Sequence, residues 1–270
     1  MKLTLAYSPC PNDTFIFDAM VHHKVDTEGL EFEVQLHDVE ALNVMAFDNN
    51  VDVTKLSYNA FLHHYKKYSL LSSGSALGEK CGPLLIAKQD KIKSFNTQSL
   101  VAIPGKYTTA NSLFLLAFPN NINTKEMLFS EIEDAVLKGE VDAGVIIHEN
   151  RFTYQEKGLE KLMDLGEYWE EQTQLPIPLG GIVVSKNLNS SVQKKIQRVL
   201  RRSIEFAFKF PKASYDYVKQ HAQEMDIDVM NSHIQLYVNE YSLDLGEKGR
   251  EAVCYLFDRK GISKNDLVII

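Results

Sequence analysis

The stretch FDNNVDVTKLSY (residues 47–58) has a counterpart later in the chain, LKGEVDAGVIIH (residues 137–148). Each stretch joins the end of a helical pattern to a polar turn, the pair Val-Asp and an apolar run typical of a buried strand. Aligning Asp52 with Asp142 places Tyr58 opposite His148. A helix, turn and strand that occur twice predict two α/β units of similar construction.

A second pair of segments repeats beside the first. The apolar residues 3–7 lead through SPCPND (residues 8–13) into a helical pattern, and residues 100–103 lead through PGKYTT (residues 104–109) into another. Ligands of open α/β sheets bind beyond the carboxyl ends of the strands, and helix N-termini there favour a carboxylate. The repeats therefore predict a ligand cleft between two lobes. An ordinary α/β packing without functional meaning is the alternative.

The order of predicted elements gives the domain boundaries. Short strand patterns alternate with helical ones, which indicates an α/β fold. The predicted strands cover residues 3–7, 31–36, 53–57, 84–87, 100–103, 141–147 and 179–184, and the predicted helices cover residues 14–22, 41–48, 108–117, 192–207, 214–223, 227–240 and 247–260. We expect a discontinuous first lobe (residues 1–90 and 181–270, with the extra C-terminal helices) and a second lobe (residues 91–180).

One helix carries its own boundary signals. Ser130 and Glu133 have the spacing of a capping box, in which each side chain accepts from the other residue's backbone N–H. Gly139 follows the last apolar position of the pattern and predicts the end of the helix.

The charge balance argues against a nucleic-acid partner. The chain of 270 residues has 29 basic and 36 acidic residues, a net charge of -7. Phosphate binding needs clustered Lys and Arg. The compact basic cluster consists of Lys194, Lys195, Arg198, Arg201 and Arg202, and its spacing fits the solvent-facing side of a helix.

The termini and cysteines indicate a cytoplasmic protein. Cys10, Cys81 and Cys254 are too few for a disulfide framework and fit a reducing compartment. The first residues enter a strand pattern directly, without the features of a signal peptide. No apolar run is long enough to span a bilayer, so we expect no membrane association.

His148 is the leading catalytic candidate. It follows the apolar strand residues 145–147 and precedes the polar residues 149–151, a position expected at the rim of a cleft. A histidine titrates near neutral pH and can act as a general base there. A structural role for this histidine stays open at this stage.

Other reactive groups are weaker candidates. Asn12, Asp13 and Thr14 could bind a ligand or cap a helix. Cys10 and Cys81 have no evident catalytic partner, which favours structural roles. The His pairs at residues 22–23 and 63–64 are adjacent, so on a helix their side chains diverge. Neither a metal-binding nor a glycine-rich nucleotide motif occurs, and we expect no metal and no cofactor.

Several motifs together resemble a known family. They are SPCPNDTF (residues 8–15), KLSY (55–58), GPL (82–84), TTA (108–110), HENRFTY (148–154) and LPIPLGG (175–181). The sequence is similar to the 1,4-dihydroxy-6-naphthoate synthase family of the futalosine route to menaquinone. The first motif and the His148 segment are specific, whereas the others would be weak alone.

The resemblance implies a two-lobed fold similar to type II periplasmic binding proteins. It also implies a carbon–carbon lyase that converts cyclic dehypoxanthinylfutalosine, a small carboxylated substrate, into 1,4-dihydroxy-6-naphthoate and dihydroxyacetone. The family's catalytic base falls on His148. The family's substrate-binding segments fall on Lys55, Leu56 and Ser57 and on Thr108, Thr109 and Ala110. Together with polar residues expected to line the cleft, namely Ser8, Asn12, Asp13, Thr14 and Arg151, they form the predicted substrate-binding set.

Three other functions are alternatives for this sequence. Chorismate dehydratase has the same fold and pathway, but the motif at residues 8–15 argues against it. A non-catalytic carboxylate-binding protein that serves a transporter would need a signal peptide. An effector domain of a transcription regulator would follow a helix-turn-helix segment. Both a monomer and a homodimer are compatible with the sequence.

Overall fold

The structure is a computed structural model that describes residues 1–48, 51–120, 123–222 and 226–270. The contacts divide the chain into a first unit, residues 1–78 with 178–270, and a second unit, residues 79–177. The strands are β1 Lys2–Tyr7, β2 Glu31–Leu36, β3 Val53–Ser57, β4 Tyr68–Leu70, β5 Ala76–Gly78, β6 Leu84–Lys88, β7 Val101–Ile103, β8 Thr124–Glu126, β9 Ala143–Ile146, β10 Leu159–Asp164 and β11 Ile177–Ser185. The helices are α1 Pro11–Val21, α2 Val39–Met45, α3 Tyr58–His64, α4 Gln89–Ile92, α5 Thr109–Ala117, α6 Ile132–Lys138, α7 Asn150–Thr153, α8 Leu165–Thr173, α9 Ser190–Lys209, α10 Tyr215–His221, α11 Ile227–Tyr237, α12 Glu240–Leu243 and α13 Gly246–Asp258.

The first unit is built on a sheet of order β2-β1-β3-β11-β4, with β5 paired to β11. β1 runs parallel to β2 and β3, whereas β11 runs antiparallel to β3 and β4. Its core joins the sheet to α1 and α9 through side chains such as Leu5, Phe17 and Val199. Burial of this apolar surface is the main stabilising contribution to the unit.

The second unit repeats this arrangement. Its sheet has the order β8-β7-β9-β6-β10, with β7 parallel to β8 and β9 and with β6 antiparallel to β9 and β10. In the first unit Leu5 pairs with Val53, and in the second Val101 pairs with Ala143. These pairs are equivalent when Asp52 is aligned with Asp142, so the predicted repeat is confirmed.

The repeated aspartate has the same partner in both units. The Asp52 carboxylate accepts a hydrogen bond from the Thr4 backbone N–H at 2.9 Å, and the Asp142 carboxylate accepts one from the Leu100 backbone N–H at 2.9 Å. Each aspartate thus joins the start of one central strand to its parallel neighbour. Asn49 and Asn50, in the first copy of the repeat, lie outside the described residues.

The unit boundaries differ from the predicted ones at residues 90/91 and 180/181. The strand β6 pairs with β9 and β10, so it belongs to the second sheet. The chain therefore passes from the first unit to the second before β6, at residues 78/79. The chain returns to the first unit at residues 177/178. An apolar strand carries no signal for the sheet that it joins, which explains the difference.

Some helix boundaries also differ from the predicted ones. α1 begins at Pro11, because proline is favoured in the first helical turn. α2 begins after Asp38, whose side chain accepts from two backbone N–H groups of its first turn. The predicted helix 227–240 is interrupted, because Asn239 caps a separate helix, α12. Gln223, the predicted end of another helix, lies outside the described residues.

The predicted capping box at Ser130 and Glu133 is wrong. Ser130 lies in a 3₁₀ turn, and α6 begins at Ile132 without a side-chain cap. Glu133 Oε2 instead accepts from Asn150 Nδ2 and from Lys157 Nζ, and these contacts direct the carboxylate away from the Ser130 backbone. The predicted stop is confirmed, because Gly139 has φ +75° at the C-cap.

The helix α9 has the predicted two-sided character. Ile196, Val199 and Leu200 are buried, whereas Arg198 extends toward solvent and pairs with Glu28 at 2.6 Å. Even this longest of the described helices is too polar for a membrane span, and no other described helix meets the length and apolarity required.

Candidate functional site

Four polar residues form a buried network in the first unit, which we name the Asp13 cluster: Ser8, Asn12, Asp13 and Lys55. Asp13 Oδ2 accepts from the Ser8 hydroxyl at 2.7 Å and from the Ser8 backbone N–H at 3.3 Å. Its Oδ1 accepts from Asn12 Nδ2 at 2.9 Å and from Lys55 Nζ at 3.0 Å. The cluster contains a buried ion pair whose carboxylate is saturated with donors, the condition under which such a pair is tolerated.

The start of α1 fixes the position of this cluster. Pro11 is the first helical residue, and Asp13 is in the first turn, where its charge interacts favourably with the helix dipole. The Thr14 hydroxyl donates to the Cys10 carbonyl at 3.1 Å, and Thr14 is fully buried. The structure therefore places Thr14 in a backbone contact. Its predicted role in substrate binding remains a prediction.

A glycine in β11 makes room for Lys55. A Cβ atom on Gly180 would lie 3.3 Å from Lys55 Cε and 2.9 Å from the Leu56 carbonyl oxygen. Any side chain at this position would displace the lysine from Asp13 or separate the two strands. This close approach gives a physical reason for a glycine in the motif at residues 175–181.

Ser57 ends β3 and is fixed by a residue of α2. The Ser57 backbone N–H donates to Asn43 Oδ1 at 3.0 Å, and Asn43 Nδ2 donates to Ser57 Oγ at 3.2 Å. Because Ser57 Oγ accepts from Asn43, its own proton can be offered to a substrate oxygen. The Leu56 side chain is fully buried, so only its backbone could contact a ligand.

In the second unit, Thr108 caps α5. Its Oγ1 donates to the Gly105 carbonyl at 2.8 Å and accepts from the Asn111 backbone N–H at 3.1 Å. Thr109 and Ala110 occupy the first two helical positions, where peptide N–H groups point away from the helix body. The first turn of α5 contains no acidic residue of its own.

His148 lies just beyond β9 and has an unusual backbone conformation. Its φ is +58°, in the left-handed region, which costs a residue with a side chain roughly 1–2 kcal/mol. Its ring packs against Phe129 with 4.8 Å between ring centroids, and the residue is partly buried. Strained residues of this kind concentrate at functional sites.

Arg151 is engaged within the second unit. Its guanidinium forms an ion pair with Asp164 at 2.7 Å and donates to the backbone carbonyls of Lys80 and Gly82. A Cβ atom on Gly82 would lie 2.2 Å from Gly166 Cα, so the segment is packed closely and Arg151 holds it. These contacts favour a structural role, and the predicted substrate contact of Arg151 remains a prediction.

Three of the buried polar residues that contact the predicted site segments were not themselves predicted from the sequence: Asn43, Asn111 and His233. Asn43 fixes Ser57, Asn111 Nδ2 donates to the Lys106 carbonyl at 2.9 Å, and His233 contacts Asn12. Each is a polar residue at a core-facing position of a helical pattern. That signal was available in the sequence, but it does not identify the partner.

Cys81 and Cys254 have the surroundings of structural residues. Burial raises the pKa of the Cys81 thiol to about 12, and it also raises the pKa of Cys254. A thiol with a raised pKa is a poor nucleophile at neutral pH.

Two α/β units with this strand order, and with polar residues beyond the strand ends, define a protein of the periplasmic-binding-protein fold class. The ligand-binding component of an ABC-type import system from Staphylococcus aureus superposes with a TM-score of 0.73 at 14% identity, over 99% of this chain and 96% of that one. A crystal structure of a protein from Archaeoglobus fulgidus superposes with a TM-score of 0.89 at 37% identity, over 96% of this chain and 98% of that one.

Sequence comparison identifies the family. A family model described as menaquinone biosynthesis matches residues 3–261, and the chain belongs to this family. The curated 1,4-dihydroxy-6-naphthoate synthase of Thermus thermophilus is 42% identical over 94% of this chain and 92% of its own length. The protein of the same name from Streptomyces coelicolor is 42% identical over 95% of this chain and 92% of its own.

Proposed function

We propose that the protein is a 1,4-dihydroxy-6-naphthoate synthase, an enzyme of menaquinone biosynthesis. The observation that carries the proposal is the 42% identity to two proteins of that name over nearly the full length of each. The family match over residues 3–261 supports it, as does the strained His148 beyond β9.

The proposed reaction is a carbon–carbon bond cleavage. A base removes a proton from a hydroxyl or an acidified carbon of cyclic dehypoxanthinylfutalosine. The adjacent carbon–carbon bond then breaks in a retro-aldol-like step, dihydroxyacetone leaves, and aromatisation to the naphthoate drives the reaction. The protein must supply a base, hold the substrate and exclude water.

His148 is the proposed base. A left-handed residue after a buried strand projects its side chain differently from an extended one, and the contact with Phe129 restricts the imidazole. A restricted ring loses little conformational entropy when it reaches the transition state. The strained backbone and the restricted ring support this role for His148.

The N-terminus of α5 is the proposed site of the substrate carboxylate. The equivalent helix end in the first unit, that of α1, already carries the Asp13 carboxylate. A second anion there would meet a like charge, whereas α5 presents peptide N–H groups without an acidic neighbour in its first turn. The Thr109 and Ala110 amides are therefore the proposed carboxylate ligands, and the Ser57 hydroxyl is a proposed donor to another substrate oxygen.

The test is an assay of the wild-type protein with two substrates offered separately, cyclic dehypoxanthinylfutalosine and chorismate. We expect the naphthoate chromophore and dihydroxyacetone from the first and no dehydration of the second. Turnover of chorismate alone would replace the proposed function with that of chorismate dehydratase. Binding of either compound without turnover would indicate a carboxylate-binding protein instead.

A further inference from the structure

His233 lies on α11, one of the C-terminal helices, for which the sequence predicts no function. Four residues of this helix are buried: Met230, His233, Ile234 and Tyr237. An imidazole placed on such an apolar face loses its contact with water, and this loss must be offset by a hydrogen bond inside the protein. The identity of the bonding partner therefore decides what the histidine does.

The partner is a residue of the Asp13 cluster. His233 Nε2 lies 2.9 Å from Asn12 Oδ1, and His233 is fully buried. Asn12 Nδ2 lies 2.9 Å from the Asp13 carboxylate, which only accepts, so the amide nitrogen must face Asp13 and the amide oxygen must face His233. An amide oxygen accepts as well. His233 Nε2 must therefore carry a proton and donate it.

We propose that His233 is a positioning residue of the substrate site. It orients Asn12, Asn12 orients the Asp13 carboxylate, and Asp13 receives Lys55 Nζ at 3.0 Å. The consequence for turnover rests on the proposed function, because Lys55 belongs to a proposed substrate-binding segment. The C-terminal helix α11 thereby sets the geometry of a site formed by the N-terminal part of the chain.

The first experiment replaces the imidazole by groups of graded donor ability. In His233→Leu the Asn12 oxygen loses its donor, and we expect kcat/KM at 25 °C to fall about tenfold or more. His233→Gln can place an amide N–H near the position of Nε2, and we expect it to recover most of that loss, whereas the shorter His233→Asn does not. Met230→Leu, on the same buried face, is the control for packing alone.

A double-mutant cycle tests whether His233 acts through Asn12. If it does, His233→Leu adds no further loss of kcat/KM to the variant Asn12→Leu. Additive losses would overturn the proposal. So would a His233→Leu variant that unfolds at a lower temperature yet keeps kcat/KM within about twofold, since this is the result expected of a purely structural histidine.

The tautomer gives a test that needs no substrate. In the ¹⁵N-histidine NMR spectrum of the wild type we expect a protonated Nε2 at His233, with a resonance that shifts in Asn12→Leu. An unprotonated Nε2 overturns the proposal whatever the assay shows. If the wild type forms no naphthoate, the proposed function is wrong. The NMR result then still shows whether His233 Nε2 donates to Asn12.

Discussion

The two units have the same strand order, strand directions and register, but the residues that follow their strands differ. Beyond β1 and β3 the first unit has a saturated side-chain network, in which Asp13 accepts four hydrogen bonds. Beyond β7 and β9 the second unit has a helix end without acidic residues in its first turn and the strained His148. The repeat preserves the arrangement of strands, and the candidate catalytic and ligand-binding residues lie where the two copies differ.

The third residue of the helix after the first strand shows how the difference arises. In α1 this residue is Asp13, whose carboxylate accepts from the Ser8 backbone. In α5 it is Asn111, whose amide donates to the Lys106 carbonyl. Both side chains fold back and hold the preceding loop. The acid places a negative charge at the positive end of its own helix, whereas the neutral amide adds no charge there.

The largest expected effect distinguishes the equivalent residues His148 and Tyr58. We expect His148→Asn to lower kcat by about 10²- to 10⁴-fold, the usual contribution of a general base. Asparagine tolerates the left-handed region, so the backbone and the melting temperature should change little. The measurement is steady-state naphthoate formation beside a thermal unfolding curve.

Tyr58→Phe is the matched control in the other copy of the repeat. Tyr58 is fully buried and its hydroxyl lies 2.8 Å from Ser75 Oγ, so its loss should cost about 1–2 kcal/mol of stability and leave kcat unchanged. If both variants lost kcat equally, the proposed division between a catalytic and a structural copy would be wrong.

The next effect compares the buried ion pair of each unit. Lys55→Met leaves the Asp13 carboxylate buried without its cation and should cost about 3–5 kcal/mol of unfolding free energy. The double variant Lys55→Met/Asp13→Asn should recover part of that cost. We also expect kcat/KM to fall in both variants, because Lys55 lies in a proposed substrate-binding segment.

Arg151→Met is the counterpart in the second unit. It removes the partner of Asp164 and the donor to two carbonyls, so we again expect a loss of stability. Here kcat/KM of the folded protein at 25 °C should stay near the wild-type value. A rise in KM without a change in stability would instead favour the substrate contact predicted from the sequence.

Acid should weaken the first unit through His64. Burial, with smaller contributions from the nearby charges of Lys67 and His63, lowers the pKa of His64 to about 4. Between pH 6.5 and 4 the unfolded chain therefore binds a proton that the folded chain does not. The contribution to stability is complete above pH 6.5 and is lost as the pH falls toward 4, on the order of 1–3 kcal/mol.

Amide exchange read separately in β3 and β9 can locate this effect. We expect protection in β3 to fall more steeply with acid, and we expect the steeper slope to disappear in His64→Leu. An unchanged slope in that variant would assign the acid sensitivity to carboxylates.

Sequence patterns predicted the strands and helices of the repeat well because both copies carry local signals. Gly139 has the backbone conformation that ends a helix, and Asp52 and Asp142 follow turns and precede apolar strands. Both its position after an apolar strand and the resemblance made His148 a candidate, but no local pattern indicated its positive φ. That conformation depends on the tertiary packing around the residue.

The residues that the sequence did not reveal are those whose partners are distant in the chain. His233 and Asn12 are separated by 221 positions, and the partners of Glu133 come from another helix and the turn that follows it. The spacing of Ser130 and Glu133 satisfied the local rule, but the tertiary partners of the carboxylate overrode it. A buried polar residue in an apolar pattern signals that a partner exists, and only the fold shows which one.

The smallest expected effect tests whether the repeated aspartates are equivalent in energy as well as in geometry. Asp52→Ala removes hydrogen bonds from both the backbone and the hydroxyl of Thr4, whereas Asp142→Ala removes one from the Leu100 backbone and a longer ion pair of 3.6 Å to Lys91. We therefore expect losses of about 1–2 kcal/mol and about 0.5–1 kcal/mol respectively, measured by urea unfolding with unchanged kcat in both variants. A larger loss at Asp142 would mean that the second unit depends on this contact more than its exposed ion pair suggests. A loss of kcat in either variant would show that the aspartate of that unit affects catalysis as well as stability.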